Sequence, residues 1–261
     1  MEQAKSLRSF HNEVKSRVIQ KYVSLSNGTS VLDIGTGRGG DMHKWFKHGL
    51  KNVVGIDVSK QYITEAIKRY NSNRYMRGSN YRFYYTASEN MFTKYLAAIK
   101  CPLHFDVVTC MFALHYFCKT SEMLTDILSQ VANVLPENGH FVCVAPLGEH
   151  IMNKLTESST YKTNAFMVER RFETPNKIGD LIRFMLSGTL YFGDNFISEE
   201  YLIFKETLES CAAKSGLKLI EYYSFEKEYA SIYGLDNLSK EASFLNGVIV
   251  FQKLPNESHK T

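Results

Sequence analysis

A glycine-rich turn at residues 35–40 is the first stretch of the chain whose residue types could do chemistry. An apolar run at residues 31–34 leads into the turn, and residues 42–46 follow it as a predicted helix. Four glycines in six positions permit positive φ angles and remove the Cβ atoms that would keep a ligand away from the backbone. The turn therefore predicts a flat or anionic ligand.

Two carboxylates help to decide which ligand this turn would hold. Gly35, Gly37 and Gly40 match the G-x-G-x-x-G pattern, which also occurs in nicotinamide dinucleotide enzymes. Asp57 ends the next predicted strand. An acid at this point typically accepts both ribose hydroxyls of an adenosine, in enzymes that use a nicotinamide dinucleotide and in those that use S-adenosylmethionine. Asp33 lies two residues before the first glycine, where it would repel a pyrophosphate but could help to place the cationic amine of a methionine moiety. We therefore predict S-adenosylmethionine (SAM) rather than NAD.

The bulk composition predicts one large domain over residues 1–261. Of the 261 residues, 44% are apolar and 13% aromatic, which is enough for a single core. Lys and Arg exceed Asp and Glu by 31 to 27, and this net charge of +4 permits an anionic partner without demonstrating one.

The five cysteines show no CxxC and no metal spacing, so we expect buried thiols in a reducing compartment and no metal site. Because neither a signal peptide nor an apolar run of about 18 residues is evident, we expect a soluble, intracellular protein without a membrane partner.

Alternation of strands and helices predicts the architecture. Residues 7–23 carry apolar positions at helical spacing between basic ones, so the N-terminal segment 1–27 is expected to be an amphipathic helix that contributes to the site. The next elements are predicted strands at 53–57, 81–85, 104–110 and 140–145, with predicted helices at 61–70, 91–99 and 122–135. This pattern implies an α/β fold with a doubly wound, mostly parallel sheet, whose ligands lie at the carboxyl ends of the strands.

The pattern changes after residue 146. Residues 147–198 are interpreted as an insertion over the mouth of the site, with short antiparallel strands at 165–168 and within 180–192. The remaining predicted elements are a helix over 200–215, strands over 217–225 and 247–251, and a frayed tail over 255–261.

Four segments make the sequence more specific than a glycine turn alone. LRSFHNEVK at 7–15, LDIGTGRGGD at 32–41, FALHYF at 112–117 and SEEYL at 198–202 occur in the order found in mRNA cap guanine-N7 methyltransferases. The chain resembles this family, most closely the methyltransferase domain of the multifunctional capping enzymes of large cytoplasmic DNA viruses of the African swine fever virus type. The resemblance implies the Rossmann-like fold of class I SAM-dependent methyltransferases, with an antiparallel C-terminal strand and an insertion that covers the cap.

The resemblance also implies which residues bind SAM. Lys15 would pair with the SAM carboxylate, the backbone of Gly35 and Gly37 would face the methionine moiety, and Asp57 would bind the ribose hydroxyls. Without the resemblance, a solvated helix face would be the expected environment of Lys15. The complete predicted set is Lys15, Asp33, Gly35, Gly37, Asp41, Asp57, Ser88, Met111 and Phe112.

A second set of residues is implied to bind the cap. His115 and Tyr116 follow the fourth predicted strand and match the family's cap-guanine contact, although a lone His after an apolar run is more often a packed residue. Glu200 matches a glutamate that accepts hydrogen bonds from guanine N1 and the exocyclic amine; the alternative is a helix N-terminal carboxylate. Arg38 and Arg69 would neutralise the triphosphate. The complete predicted set is His11, Asn12, Arg38, Arg69, His115, Tyr116 and Glu200.

The reaction implied is methyl transfer from SAM to guanine N7 of 5'-capped RNA (GpppN), which leaves S-adenosylhomocysteine. No acid or base is predicted, because N7 carries a free lone pair and the sulfonium already activates the methyl group. The alternatives are a SAM methyltransferase acting on another RNA position or a small molecule, and a non-catalytic module that binds RNA or a partner. The expected setting is the cytoplasm of a host, or a virion, with no DNA partner, and the resemblance leaves open whether triphosphatase and guanylyltransferase domains share the polypeptide.

Departures from the family pattern concern adenine and the far wall of the cap pocket. The family commonly has Asn where His11 stands, Gln where Met111 stands, and an acid near Ala87 and Ser88. Its C-terminal Tyr aligns with Asn246 or is absent. We therefore predict that Ser88 and the backbone recognise adenine and that the cap pocket is closed differently on its C-terminal side.

Overall fold

The computed structural model describes residues 2–87, 92–186, 197–232 and 235–255. The strands are β1 (Ser30–Ile34), β2 (Asn52–Asp57), β3 (Asn80–Tyr85), β4 (Val107–Met111), β5 (His140–Pro146), β6 (Thr160–Lys162), β7 (Phe166–Arg170), β8 (Leu181–Leu186), β9 (Ile197–Tyr201), β10 (Leu217–Ser224) and β11 (Asn246–Lys253). The helices are α1 (Glu2–Ser26), α2 (Met42–Lys47), α3 (Lys60–Ser72), α4 (Phe92–Ala98), α5 (Ser121–Val134), α6 (Gly148–Lys154), α7 (Lys205–Lys214), α8 (Glu226–Tyr229) and α9 (Asn237–Phe244).

Seven strands form the central sheet in the order β10-β11-β5-β4-β1-β2-β3. Strands β1 to β5 are parallel to one another, whereas β11 is antiparallel to both β5 and β10. The inner strands β1, β4 and β5 are almost entirely buried, as expected for a parallel sheet that is covered by helices on both faces. The predicted doubly wound sheet and its antiparallel C-terminal strand are confirmed.

The two faces of the sheet carry separate hydrophobic clusters. One contains the buried side chains of α4, α5 and α7, and the other contains those of α1, α2 and α3. Helix α1 (Glu2–Ser26) occupies the predicted N-terminal segment 1–27, and Phe10, Val14, Val18 and Tyr22, spaced four residues apart, all bury in the second cluster. This packing holds the N-terminal half of α1 beside the carboxyl ends of the strands.

A second, antiparallel sheet with the order β6-β7-β8-β9 lies in the predicted insertion. The strands predicted at 165–168 and within 180–192 are confirmed as β7 and β8, while residues 187–196 lie outside the described part of the chain. The predicted start of the helix at residue 200 is wrong. Residues 197–201 pair with β8 as a strand, and the helix begins only at Lys205.

The remaining predictions concern the cysteines, the tail and membrane spans. All five cysteines are buried and free, as predicted. Of the predicted tail, residues 256–261 lie outside the described residues. None of the helices in the described ranges is both long and apolar enough to cross a membrane.

Gly35 and Gly37 give a matched test of the turn, because both have positive φ, +70° and +53°. A Cβ at Gly35 would lie 2.4 Å from the Cβ of Ala113, whereas a Cβ at Gly37 meets no heavy atom within 4 Å. We expect Gly37→Ala to lower the free energy of unfolding by about 1–2 kcal/mol, the cost of a left-handed residue. Gly35→Ala should cost about 1–3 kcal/mol more, because the turn or β4 must shift. Urea unfolding without ligand measures both, and equal losses would contradict the close contact.

Candidate active site

The glycine turn is tied to the neighbouring strand by Asp57. The Gly35 amide donates to the Ile56 carbonyl at 2.9 Å. The Asp57 carboxylate accepts from the Gly37 amide at 2.8 Å and, through its other oxygen, from the Ser59 amide at 2.8 Å. Each carboxylate oxygen retains a lone pair for a further donor. The turn and an acceptor for a diol are therefore held together at the carboxyl ends of β1 and β2.

A buried ion cluster lies beneath this turn, formed by Asp41, Lys15 and Lys44. The ammonium groups of Lys15 and Lys44 lie 2.8 and 2.6 Å from Asp41 Oδ1, and Lys44 also donates to Asn12 Oδ1 at 2.8 Å. Burial alone would raise the pKa of Asp41, but the two ammonium groups outweigh it and lower that pKa. The solvated-face alternative for Lys15 is wrong, since its side chain is only 13% exposed.

Asp33 is a second buried carboxyl group beside the cluster. It is 2% exposed and accepts a hydrogen bond of 2.6 Å from Thr109 on β4. Burial, with the nearby charge of Asp41, raises the pKa of Asp33 to about 7. Asp33 is therefore divided between its acid and carboxylate forms at neutral pH.

An aromatic wall follows the end of β4. Phe112 has a φ of +61°, a conformation that is rare for a bulky residue and recurs at functional sites. Its ring stacks on His11 with centroids 5.5 Å apart, and the Lys15 ammonium lies 5.8 Å from its centroid. His11 also contacts the Ser243 hydroxyl at 3.1 Å. Burial, with the charge of Lys15, lowers the pKa of His11 to about 3, so this imidazole is neutral.

His115 lies next in the chain, in a 3₁₀ turn at Leu114–Phe117. Its side chain is buried, 3% exposed, and neither ring nitrogen has a hydrogen-bond partner among the described residues. Burial lowers the pKa of His115, while the charge of Glu200 opposes that shift. The ring of Tyr116, half exposed, lies 4.1 Å from the imidazole. Buried polar atoms are normally paired, so this imidazole is a candidate ligand contact.

Glu200 is brought to His115 by strand β9, which packs against the 3₁₀ turn. Along β9 successive side chains alternate between the two faces. Glu199 lies on one face, paired with Arg183 at 3.1 Å, and Glu200 on the other, 2.6 Å from the Ser198 hydroxyl. The alternative of a helix N-terminal carboxylate is thereby excluded, because residue 200 belongs to a strand.

Arg38 and Arg69 meet on the exposed side of the glycine turn. The Arg69 guanidinium donates to the Arg38 carbonyl at 2.7 Å. The Arg38 side chain lies 3.4 Å from a carboxylate oxygen of Glu65 and 4.8 Å from the ring centroid of Tyr62. Both arginines are exposed and available to an anion.

The other predicted site residues have varied outcomes. Met111 is buried at the end of β4, and Ser88 lies outside the described residues. Asn246, where the family has Tyr, is buried, and its side-chain amide donates to the Ala242 and Ser243 carbonyls at 3.1 and 3.3 Å, closing the end of α9.

Sequence reasoning missed Lys44, Thr109 and Ser198, which hold Asp41, Asp33 and Glu200. A signal for the first was present, since Lys44 follows Asp41 by three residues in the predicted helix, where the two side chains share a face. Thr109 and Ser198 have no comparable signal.

Comparison with known sequences identifies related proteins. The model of the mRNA (guanine-N(7))-methyltransferase domain matches residues 2–247. The mRNA cap guanine-N(7) methyltransferase of Saccharomyces cerevisiae is 30% identical over 240 residues, 85% of this chain and 52% of the yeast protein. A probable mRNA-capping enzyme of Acanthamoeba polyphaga mimivirus is 27% identical over 285 residues, 91% of this chain and 24% of the viral protein. The chain thus spans about half of the yeast relative and about a quarter of the viral one.

Comparison with solved structures concerns the fold. A SAM-dependent methyltransferase from Clostridium acetobutylicum superposes with a TM-score of 0.59 at 17% identity, covering 92% of this chain and 91% of that one. The CcbJ methyltransferase from Streptomyces caelestis superposes with a TM-score of 0.62 at 15% identity, covering 92% of this chain and 90% of that one. The predicted class I SAM methyltransferase fold is confirmed.

The raised pKa of Asp33 leads us to predict that the stability of the protein depends on pH. The fold raises its pKa from 3.8 to about 7, so between these values the native state holds a proton that the unfolded chain releases. The stabilisation by this bound proton is complete below about pH 4 and is lost as the pH rises to about 7. Over this range the free energy of unfolding falls by at most about 1.4 kcal/mol per pH unit. We expect Asp33→Asn to abolish this slope in urea unfolding between pH 4.5 and 7.5. The exposed-residue control Asp126→Asn should retain it, and an unchanged slope in Asp33→Asn would contradict the raised pKa.

Proposed function

The chain belongs to the mRNA (guanine-N(7))-methyltransferase family, and from this premise we propose that it methylates the cap of RNA. The proposed reaction transfers the methyl group of SAM to N7 of the 5'-5' linked terminal guanosine of GpppN-capped RNA and leaves S-adenosylhomocysteine. The observation that carries the proposal is the juxtaposition of two residues. His115 is buried, and both of its ring nitrogens lack a hydrogen-bond partner within the described ranges, while Glu200 lies on the facing strand.

The chemistry of this pair matches the edge of guanine. Guanine N1–H and its exocyclic amine are adjacent donors, and the Glu200 carboxylate offers two acceptor oxygens. Adenine lacks this donor pair, so a buried acceptor there would discriminate between the purines. The neutral imidazole of His115 can donate one N–H to a purine acceptor, and the half-exposed ring of Tyr116 offers a flat surface for a base.

The residues around the glycine turn fit SAM. The positive φ of Gly37 and the open space above it leave room for a ligand against the backbone. We propose that Asp57 accepts the ribose hydroxyls through its free lone pairs and that Lys15, already turned toward the site by Asp41, binds the carboxylate. When bound, SAM supplies a methyl group activated by its sulfonium.

We propose that the protein contributes position and field rather than an acid or a base. Guanine N7 carries a lone pair and no proton, so direct in-line attack needs no proton transfer. The low pKa of His11 keeps that imidazole uncharged beside Phe112. The lowered pKa of His115 likewise keeps its imidazole uncharged beside the proposed position of guanine. The site can then favour the reaction by proximity, orientation and a field suited to the loss of the sulfonium charge.

The wider setting is proposed from the relatives. Because the chain spans only part of the yeast and mimivirus proteins, we propose that triphosphatase and guanylyltransferase activities are supplied elsewhere, in the same polypeptide or in separate proteins. The similarity to a mimivirus capping enzyme supports the proposal that this chain comes from a large DNA virus and acts in the host cytoplasm.

The activity is tested with radiolabelled methyl transfer from SAM to matched capped and uncapped RNA, followed by nuclease release of the labelled nucleotide. We expect label only in N7-methylguanosine from the capped RNA. Label in another nucleotide would assign a different RNA position, and SAM binding without transfer would indicate a non-catalytic module. Either result would reject the proposal.

Glu200→Gln tests guanine recognition, because the amide keeps the shape but loses the charge and one acceptor. Replacing a charge-assisted pair should cost about 2–4 kcal/mol, so we expect kcat/KM for the cap dinucleotide GpppG to fall about 30- to 1,000-fold with the Kd for SAM unchanged. Glu199→Gln, one residue away on the opposite face and paired with Arg183, is the matched control and should keep its activity. Equal losses in both variants would count against the assignment.

Lys15→Met tests the proposed contact between Lys15 and the carboxylate of SAM. Removing the ammonium deletes a charge-assisted hydrogen bond to a carboxylate worth about 1.5–3 kcal/mol, so the Kd for SAM measured by calorimetry should rise about 10- to 100-fold. Lys21→Met alters the same helix at an exposed lysine that pairs with Glu221, and it should leave the Kd unchanged. A normal Kd in a folded Lys15→Met protein would show that Lys15 serves only Asp41.

A further inference from the structure

A basic cleft lies between α2 and α3, beside the site described above, with which it shares Arg69. It encloses about 640 Å³ and is lined by His43, Arg69, Asn73, Arg74 and Tyr75 together with two methionines and a serine. We call this space the α2–α3 cleft. Its lining carries positive charge and one large aromatic ring but no carboxylate.

The charge continues along the chain around the α2–α3 cleft. Residues 60–80 contain five basic residues and one acid, and that acid, Glu65, is already engaged by Arg38. Arg74 and Arg77 are exposed. An anionic partner would therefore meet uncompensated guanidinium groups on this face.

Tyr75 gives the α2–α3 cleft its second property. It belongs to a 3₁₀ turn at Arg74–Met76, where the Asn73 side chain accepts the Tyr75 amide at 3.0 Å and Met76 is buried in the core. This anchoring turns the Tyr75 ring outward, 85% exposed. An exposed flat ring with an arginine directly before it and another two residues after it in the sequence offers a stacking surface for an unpaired base and cations for the phosphates.

The α2–α3 cleft is continuous with the active site through Arg69. The Arg69 side chain lines the cleft, and its guanidinium donates to the carbonyl of Arg38 within the glycine turn. A chain that enters at Tyr75 and passes Arg69 therefore arrives at the turn where the cofactor is proposed to bind.

We propose that the α2–α3 cleft binds the single-stranded RNA that follows the cap, with a base stacked on Tyr75 and phosphates on Arg74 and Arg77. This inference rests on the proposed function, since it assigns the next part of the same substrate. RNA is favoured over an acidic protein segment because the exposed Tyr75 ring lies next in sequence to Arg74, and a nucleobase offers that ring a flat face to stack on, whereas an acidic side chain does not.

The test compares two substrates that share the cap, the dinucleotide GpppG and an unstructured 20-nucleotide capped RNA. For the unaltered chain we expect a lower KM with the longer RNA. Tyr75→Ala should raise that KM about fivefold or more, whereas Tyr75→Trp, which retains a stacking ring, should restore it. Arg74→Gln should lower the slope of log KM against log salt by about 0.7, the value of one single-strand phosphate contact. For all three variants kcat/KM with GpppG should equal that of the unaltered chain.

Controls separate this inference from the proposed function and from simple charge. Lys218→Gln, on the edge strand β10 at the opposite end of the sheet, should leave every value unchanged. Equal KM for GpppG and the long RNA, or equal losses on both substrates in Tyr75→Ala, would overturn the inference while the methylation of GpppG stands. Competition by polyglutamate as strong as by an uncapped oligonucleotide would also overturn it. Failure of the proposed function would show separately, as no methylation of GpppG by the unaltered chain.

Discussion

The buried ion cluster of Lys15, Asp41 and Lys44 is the interaction on which the rest of the site depends. It joins helix α1 to the end of the glycine turn and to the first turn of α2. Removing charges from water is costly, and a buried pair that loses one partner typically destabilises a protein by about 3–5 kcal/mol. The cluster therefore holds α1 in the register that places His11 on Phe112 and Asn12 on Lys44.

The close approach of the chain after β4 is the second constraint. Gly35 leaves space that Ala113 fills, and Phe112 takes up a positive φ immediately before it. The Phe112 amide donates to the Val144 carbonyl at 2.7 Å, so the strained residue is held by the sheet. The parallel strands thus supply both the glycine turn and the aromatic wall, which explains why these parts lie at one edge of the sheet.

The part of the site that is proposed to bind guanine is built differently, from two sheets. His115 comes from the connection after β4, while Glu200 comes from the edge strand of the antiparallel sheet. Because β9 alternates its faces, Glu199 pairs with Arg183 on one face, and Glu200 accepts a hydrogen bond from Ser198 on the other. In the proposed function, the antiparallel sheet thus supplies the carboxylate for the base, while the central sheet supplies the turn for the methyl donor.

The sequence by itself determined the doubly wound sheet, the glycine turn, Asp57 and the position of Lys15 on a helix, because each depends on local spacing and strand-helix alternation. Only the tertiary structure decided that residues 197–201 form a strand, since the short SEEY segment suits a helix start equally well and its pairing with β8 is a contact between distant residues. The burial of Asp33, which raises its pKa, and of His115, whose ring nitrogens find no partner in the part of the chain that the structure describes, has the same origin. Such properties depend on which side chains surround a group in space, and local sequence patterns do not contain that information.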